Sequence, residues 1–228
     1  MNIVYMLTRN YYYKLIPGMR SLVEHNPDAN IFVLAEDDAV PDLPAKVTVI
    51  NISGQRYFKP TDPNYWNPYT YINLLKVCLP DLLSVDKVIY LDVDTIVCDD
   101  LTPLWETDVS GKWFAACPEY RGIYKPFGRI YYNAGVLVIN LAQMRKENIW
   151  PEMVDYLNAF RQPYADQDAW NAFGIQYGMV TTFDVRYNEG LVTGETDDPA
   201  IVHYVCLRNW YEDHSIPRRE YLDKYLDG

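Results

Sequence analysis

The residues of this sequence best suited to chemistry are two carboxylates that follow a short apolar run. The run VIYL ends at Leu91 and leads directly into Asp92, Val93 and Asp94. In an extended backbone, residues two apart project to the same side, so both carboxylates can face one cation. Carboxylates suit Mg²⁺ or Mn²⁺, whose coordination shells are commonly completed by phosphate oxygens and water. The pair therefore predicts a divalent-cation site, although such pairs also occur in solvated turns after buried strands.

The same string fits a second chemistry. Hydrolases of the haloacid dehalogenase type carry a hydrophobic strand followed by Asp-x-Asp-x-Thr, which corresponds here to Asp92, Asp94 and Thr95. Asp92 would then be a phosphoryl nucleophile. That class carries its motif near the start of the chain, whereas 91 residues precede Asp92 in this sequence. The position favours a metal site and leaves the phosphatase as an alternative.

Alternating strand and helix patterns predict a fold that would place these carboxylates at the edge of a sheet. Strands are predicted over 3–7, 31–35, 46–50, 88–91, 134–139 and 201–204, and helices over 12–25, 69–83, 150–160 and 166–173. The opening elements indicate a βαβ unit, and fully apolar runs are typical of parallel strands buried on both faces. We therefore predict an α/β fold with a mixed, mainly parallel sheet and helices on both faces. Such sheets bind ligands at the carboxyl ends of their strands, where Asp92 lies.

Length, charge and composition exclude several classes. The chain has 228 residues, enough for one domain (1–228) with its own core, and a net charge of −11 argues against nucleic-acid binding. The apolar run from Ile3 to Leu7 is too short for a secretory signal, and no 18-residue apolar stretch occurs. No two of the four cysteines form a C-x-x-C pair, so we expect reduced core thiols. These features predict a cytoplasmic protein without an integral membrane segment.

Five short segments carry a resemblance to a known family. They are, in chain order, LTRNYYY, VIYLDVDTIV with LTPLW after it, YYNAGVLVINL, ADQDAWN and HYVCLRNW. Together they resemble the retaining glycosyltransferases of family 8, the group of glycogenin and the bacterial lipopolysaccharide galactosyltransferases. The match spans most of the chain, and five elements in order are far more specific than any one of them.

The resemblance implies a role for each segment. The metal ligands would be Asp92, Asp94 and His203. The residues implied in donor binding are Leu7, Thr8, Asn10, Tyr13, Lys76, Val93, Asn133, Ala134 and Asp168, with Asp92 shared with the metal. Gln167 would lie near the anomeric carbon with Asp166 beside it, and these two are assigned to catalysis together with Arg208.

The last segment departs from the family pattern. The family's glycine is absent, its lysine is replaced by Arg208 and its proline by Asn209, and the segment from His203 to Trp210 is one residue shorter. A guanidinium can bind two phosphate oxygens at once. Arg208 is therefore predicted to hold the departing diphosphate.

The implied fold is a nucleotide-sugar transferase domain of the GT-A type, with a nucleotide-binding half (1–100) and an acceptor and sugar half (101–228). The implied reaction is metal-dependent transfer of a hexose, glucose or galactose, from a UDP-sugar to an unknown glycan or protein acceptor, with Mn²⁺ or Mg²⁺ bound. The irregular stretches 51–68 and 117–131 would shape the acceptor site. A non-catalytic sugar-nucleotide binder on this fold stays open beside the phosphatase.

Overall fold

The computed structural model of the chain describes residues 1–37, 43–120, 130–207 and 209–226. Its strands are β1 (Asn2–Leu7), β2 (Asn30–Ala35), β3 (Val47–Asn51), β4 (Lys87–Leu91), β5 (Thr95–Val97), β6 (Phe114–Pro118), β7 (Tyr132–Asn140), β8 (Val180–Thr182) and β9 (Ile201–His203). Its α-helices are α1 (Tyr12–His25), α2 (Tyr71–Leu74), α3 (Leu79–Leu82), α4 (Thr102–Trp105), α5 (Leu141–Glu147), α6 (Trp150–Ala159), α7 (Asp166–Gln176) and α8 (Arg219–Leu226). Turns of 3₁₀-helix cover Arg9–Tyr11, Leu75–Cys78 and Val185–Tyr187.

Seven strands form one sheet in the order β3-β2-β1-β4-β7-β6-β8. The strands from β3 to β4 run parallel, β7 is antiparallel to both of its neighbours, and β8 runs parallel to β6. The predicted mixed, mainly parallel sheet is therefore confirmed. The strands β6 and β8 were not predicted from the sequence: β8 has only three residues, and the end of β6 overlaps the stretch 117–131 that was predicted to be irregular.

Both faces of the central strands of this sheet are buried, which explains their unbroken apolar runs. Along β1, Val4 and Met6 belong to one hydrophobic core, and Ile3 and Tyr5 belong to the core on the opposite face. The first core is completed by residues of α2, α3, α5, α6 and α7, and the second by residues of α1 and α4. The prediction of helices on both faces is confirmed.

The helix predicted over 69–83 is wrong as a single element. The structure divides it into α2, the 3₁₀ turn Leu75–Cys78 and α3. Pro80 stands in the first turn of α3, where its missing N–H costs nothing, but within one long helix it would have removed a hydrogen bond. The break leaves Lys76 on the central 3₁₀ turn.

A second, two-stranded sheet positions His203, the last of the predicted metal ligands. β5 pairs antiparallel with β9, and Thr95 lies opposite His203 in this register. The backbone N–H of Tyr204 also donates to the carbonyl of Asp94 at 2.9 Å. The pairing therefore sets His203 beside Asp94, although the two residues are far apart in the chain.

The longest helix in the described ranges is α1, with 14 residues. No helix among the described residues combines the length and apolar character needed to cross a bilayer. All four cysteines are free thiols, but Cys206 is exposed, so the expectation that all four lie in the core is wrong for that residue.

Candidate active site

A cleft of about 670 Å³ opens at the carboxyl edge of the parallel strands. The ends of β1 and β4, the start of β7, the start of α7 and the strand β9 all contribute to its wall. Of the residues predicted from the sequence, it is lined by Leu7, Thr8, Lys76, Asp92, Val93, Asp94, Asn133, Ala134, Asp166, Gln167 and His203. Most of the predicted site residues thus converge where open α/β sheets bind their ligands.

Three side chains at the floor of the cleft can share one metal ion. One ligand atom from each of Asp92, Asp94 and His203 lies within 4.8 Å of the others. The Nε2 atom of His203 lies 3.3 Å from Oδ1 of Asp94 and 3.9 Å from Oδ2 of Asp92. Two carboxylates and one imidazole form a donor set that suits a divalent cation such as Mn²⁺.

Because Gly135 has no side chain, His203 and Asp92 can approach its backbone closely. A Cβ atom at Gly135 would lie 2.1 Å from Cε1 of His203 and 2.9 Å from Oδ2 of Asp92. The same residue accepts a backbone hydrogen bond from Asp92 at 2.8 Å. Any side chain at this position would clash with both the imidazole and the carboxylate, so the donor set keeps this arrangement only with glycine.

Lys76 is a buried cation held between two carboxylates. Its Nζ atom lies 3.3 Å from Asp92 Oδ1 and 3.1 Å from Asp166 Oδ2, and it donates to the carbonyl of Ala134 at 3.1 Å. Burial by itself lowers the pKa of Lys76, but the two carboxylates outweigh burial and raise it. Burial raises the pKa of Asp166 to about 6, with Lys76 opposing the shift. The ammonium therefore stays charged and fixes both carboxylates.

A network of amide groups fixes Gln167. Its Oε1 atom accepts from the backbone N–H of Ala134 at 2.9 Å, and its Nε2 atom donates to Glu119 Oε1 at 3.0 Å. Asn133 also donates to Glu119 Oε1 at 3.0 Å. Burial raises the pKa of Glu119, and these two amides oppose that shift. Glu119 was not predicted as a site residue, because one acidic residue at the start of an irregular stretch belongs to no recognisable pattern.

Asn188 is a second residue that the sequence did not indicate. It is fully buried, its Oδ1 atom lies 2.8 Å from Nδ1 of His203, and its Nδ2 atom donates to Asn133 Oδ1 at 3.0 Å. The backbone N–H of Gly135 donates to that same Asn133 oxygen at 2.9 Å. Because Asn133 accepts there, Asn188 must present its NH₂ group to Asn133 and its oxygen to His203. The Nδ1 atom of His203 therefore carries the proton, and Nε2 offers a lone pair to the metal position.

Four predicted residues are not placed in the cleft. Asn10 is exposed and Tyr13 is 46% exposed, and neither is among the residues that line the cavity. Asp168 accepts hydrogen bonds from the Tyr131 hydroxyl at 2.7 Å and the Tyr164 backbone at 2.8 Å, in the first turn of α7. Arg208 lies outside the described residues. The roles assigned to these four residues stay predictions.

Several further residues line the cleft without having been singled out from the sequence, and three of them have a bearing on the site. They are Tyr11, Lys14 and Cys206. Cys206 has a φ of 66°, in the left-handed region that favours glycine. Lys14 stands in the first turn of α1, where the helix dipole disfavours a cation. A lysine in the first turn of a predicted helix is therefore a sequence feature that could have drawn attention to Lys14.

The sequence model described as Glycosyl transferase family 8 matches residues 2–211. A putative glycosyltransferase of Haemophilus influenzae is 33% identical over 131 residues, which covers 53% of this chain and 38% of the relative. Glycosyltransferase GlyA of Streptococcus pneumoniae is 26% identical over 226 residues, covering 91% of this chain and 32% of the relative. The chain thus spans about a third of the length of these two relatives.

Solved structures show the same fold. The galactosyltransferase LgtC, in complex with donor and acceptor sugar analogues, has a TM-score of 0.73 and 23% identity, covering 99% of this chain and 95% of the other. GlyE of Streptococcus pneumoniae has a TM-score of 0.75 and 21% identity, covering 100% and 60%. The prediction of a GT-A type fold is confirmed.

Proposed function

The chain belongs to glycosyl transferase family 8, and from this premise we propose that it is a metal-dependent, retaining glycosyltransferase. It would move glucose or galactose from a UDP-sugar to a glycan or protein acceptor. The observation that carries the proposal is the convergence of Asp92, Asp94 and His203 in one cleft with the buried ion pair of Lys76 and Asp166. Separate segments of the chain supply these groups, and a solvated turn after a strand would not need them.

Asp92, Asp94 and His203 would hold Mn²⁺ or Mg²⁺. A divalent cation at this position offsets the negative charge that a diphosphate leaving group develops as the glycosidic bond breaks. The chain's own contribution is to fix the ligands before the donor arrives. Lys76 and the Tyr90 hydroxyl bind Oδ1 of Asp92, at 3.3 Å and 2.6 Å, and leave its Oδ2 atom toward His203.

Asp166, Asn133 and Gln167 would contact the transferred sugar. All three line the cleft. The Oδ2 atom of Asp166 is buried in the ion pair with Lys76 at 3.1 Å, so the carboxylate is held in a fixed position at the wall of the cleft. A pocket of fixed amides and carboxylates beside the metal site is what recognition of several hydroxyl groups requires.

Retention of the anomeric configuration follows most simply from attack on the face that the diphosphate leaves. The amide of Gln167 is a poor nucleophile, and its two ends are held by Ala134 and Glu119. We therefore assign Gln167 to positioning and electrostatic stabilisation of the sugar. The acceptor hydroxyl would attack on the leaving-group side and give its proton to the departing diphosphate.

Two tyrosines favour a glycan as the acceptor. Tyr69 is 48% exposed and Tyr164 is 38% exposed, and both line the cleft. Aromatic rings offer flat apolar surfaces with a polar tip, which suit the amphipathic faces of sugar rings. Since the cleft holds the donor, these rings mark the side from which an acceptor sugar could approach.

We place the enzyme in the cytoplasm. All four cysteines are free, which is typical of proteins in reducing compartments. The cytoplasm would then be the compartment from which a nucleotide sugar enters the cleft.

Release of UDP from UDP-glucose and UDP-galactose tests this function. We expect release that depends on Mn²⁺, is slow in water and is faster with an acceptor sugar, and that is lost in Asp94→Asn. Tight donor binding without turnover by any acceptor would instead indicate a sugar-nucleotide binder. Metal-dependent hydrolysis of p-nitrophenyl phosphate would indicate the phosphatase, which the family membership disfavours.

A further inference from the structure

Lys14 brings an ammonium group to the cleft that the described chain neutralises poorly. Its side chain is 11% exposed, and it lines the cavity. Among the described residues, its ammonium pairs with the carboxylate of Glu212 at 3.7 Å, and that side chain is 57% exposed. Lys76, the other buried lysine of the cleft, has two carboxylates and a carbonyl within 3.3 Å. A buried cation with one loose, solvated partner is suited to an anionic ligand.

Aromatic rings fix the position of this ammonium. The Nζ atom lies 5.5 Å from the ring centre of Tyr11, 5.6 Å from that of Tyr13 and 6.0 Å from that of Trp210. The faces of such rings attract a cation without neutralising its charge. The cage therefore holds Lys14 in place while leaving its charge available to the cleft.

The location of Lys14 in α1 points the same way. It is the third residue of a 14-residue helix, and no side-chain hydrogen bond caps that helix end. A cation there is repelled by the positive end of the helix dipole, so it destabilises the helix. For an anion the two positive charges act together, because helix N-termini and lysines both attract phosphate groups.

The other charged side chains of the cleft are mostly acidic, so a further cation would be favourable there. Asp92, Asp94, Glu119 and Asp166 line it, and Lys76 is already committed to two of these acids. A nucleotide diphosphate entering this acidic cleft meets repulsion that one divalent ion offsets only in part. A further positive charge on the N-terminal wall would lower that barrier.

We propose that Lys14 binds a phosphate oxygen of the donor's nucleotide diphosphate. The inference rests on the proposed function, since it needs a nucleotide sugar in the cleft. Glu212 acts as the resting partner of Lys14, and the phosphate displaces it when the donor binds. Because the contact is made to the ground-state donor, it contributes mainly to donor affinity and little to turnover.

The test is the dissociation constant of UDP for Lys14→Met, measured by calorimetry with Mn²⁺ and with chelator. Methionine keeps the apolar stem inside the cage and removes the charge. We expect UDP binding weakened about tenfold or more under both conditions, the scale of one lost charge-assisted hydrogen bond. Affinity should fall less steeply with salt than in the wild type, and Lys14→Arg should recover part of the loss. Uridine, which has no phosphate, should bind the variant and the wild type alike.

Two controls accompany this measurement. Lys146→Met removes one exposed lysine of α5, outside the cleft, and should leave UDP affinity unchanged. Glu212→Gln removes the competing carboxylate and should tighten UDP binding, so unchanged or weaker binding counts against the inference. It is overturned if Lys14→Met binds UDP like the wild type, or if uridine loses affinity by the same factor. If the wild-type protein binds no UDP with Mn²⁺ or with chelator, the proposed function itself is refuted. That result differs from the two outcomes that overturn only the role of Lys14.

Discussion

The Oδ1 atom of Asn188 lies 2.8 Å from Nδ1 of His203, and this contact decides which nitrogen of the imidazole can bind a metal. Asn188 cannot reverse its amide, because Asn133 accepts hydrogen bonds from both Asn188 and the backbone of Gly135. The proton is thus held on Nδ1. Nε2 is therefore the nitrogen that faces Asp92 and Asp94 and can bind the metal ion, whereas without a metal these two carboxylates raise the pKa of His203.

The first prediction follows from this relay. Asn188→Leu keeps a side chain of similar size but frees the imidazole to rotate and to change tautomer. Mn²⁺ affinity should fall about 10- to 100-fold, as for other outer partners of metal-bound histidines. Mn²⁺ titration followed by electron paramagnetic resonance measures this. Asn64→Leu is a matched control, because Asn64 is equally buried but bonds to Leu157 and Phe160. If both variants lose Mn²⁺ affinity equally, the effect is one of folding.

The second prediction concerns Gly135. In Gly135→Ala the new methyl group would lie 2.1 Å from Cε1 of His203, so the imidazole must move away from the two aspartates. Mn²⁺ affinity and UDP-sugar turnover should each fall by roughly tenfold or more. Gly54→Ala is the control, since nothing lies within 4 Å of a Cβ there, and it should behave like the wild type. Wild-type metal binding in Gly135→Ala would show that His203 is not a ligand.

The third prediction tests the metal dependence of donor binding. In the wild type, UDP should bind much more tightly with Mn²⁺ than with chelator. Asp94→Asn should remove that difference, because it takes away one charged ligand and the ion pair with His203 at 3.3 Å. Calorimetric titration of UDP into both proteins, with and without Mn²⁺, gives the four constants. Equal UDP affinity of the wild type in the two buffers would contradict a metal-bridged diphosphate.

The sequence predicted the parts of the site that local patterns encode. Asp92 and Asp94 stand directly after an apolar strand, and a strand of known direction fixes which edge of the sheet they reach. Asn133, Gln167 and His203 were identified by resemblance, since polar residues at such spacings carry no physical signature of their own. The strand and helix patterns predicted the α/β class of the fold, and the resemblance predicted its GT-A type; both predictions are confirmed.

The remaining parts depend on contacts between distant segments. Glu119 and Asn188 act through hydrogen bonds to residues 48 and 15 positions away, and neither stands in a recognisable motif. Gly135 is required because a side chain on another strand occupies the space that a Cβ atom would fill. That close approach cannot be predicted from the sequence of either strand alone. The broken helix around Lys76 had a visible cause in Pro80, and the periodicity of the surrounding apolar residues concealed it.

The fourth prediction concerns Arg208, which is proposed from the sequence alone. If its guanidinium binds the departing diphosphate, it acts on charge that grows during bond breaking, so its loss falls on turnover. Arg208→Ala should lower kcat by roughly 10² to 10³, about 3 to 4 kcal/mol, and Arg208→Lys should recover part of this. Steady-state kinetics with donor affinity measured separately gives the split. Lys14→Met, whose effect should fall on affinity, is the contrasting variant, and a near-normal kcat in Arg208→Ala would place the diphosphate clamp elsewhere.

The last prediction concerns Gln167 and the stereochemistry of the product. Its amide is fixed by Ala134 on one side and Glu119 on the other, so it offers a preorganised dipole at the sugar and little binding area. Gln167→Ala should therefore lower kcat by roughly 10²-fold while the donor's dissociation constant stays near that of the wild type. The α configuration of the donor sugar should be kept in the product of the wild type and of the variant, because attack on the leaving-group face needs no covalent bond to Gln167. Proton NMR of the first product formed reads the configuration before it can equilibrate. A β product would refute the retaining mechanism, and an equal loss of donor affinity and turnover would show that Gln167 contributes only to binding.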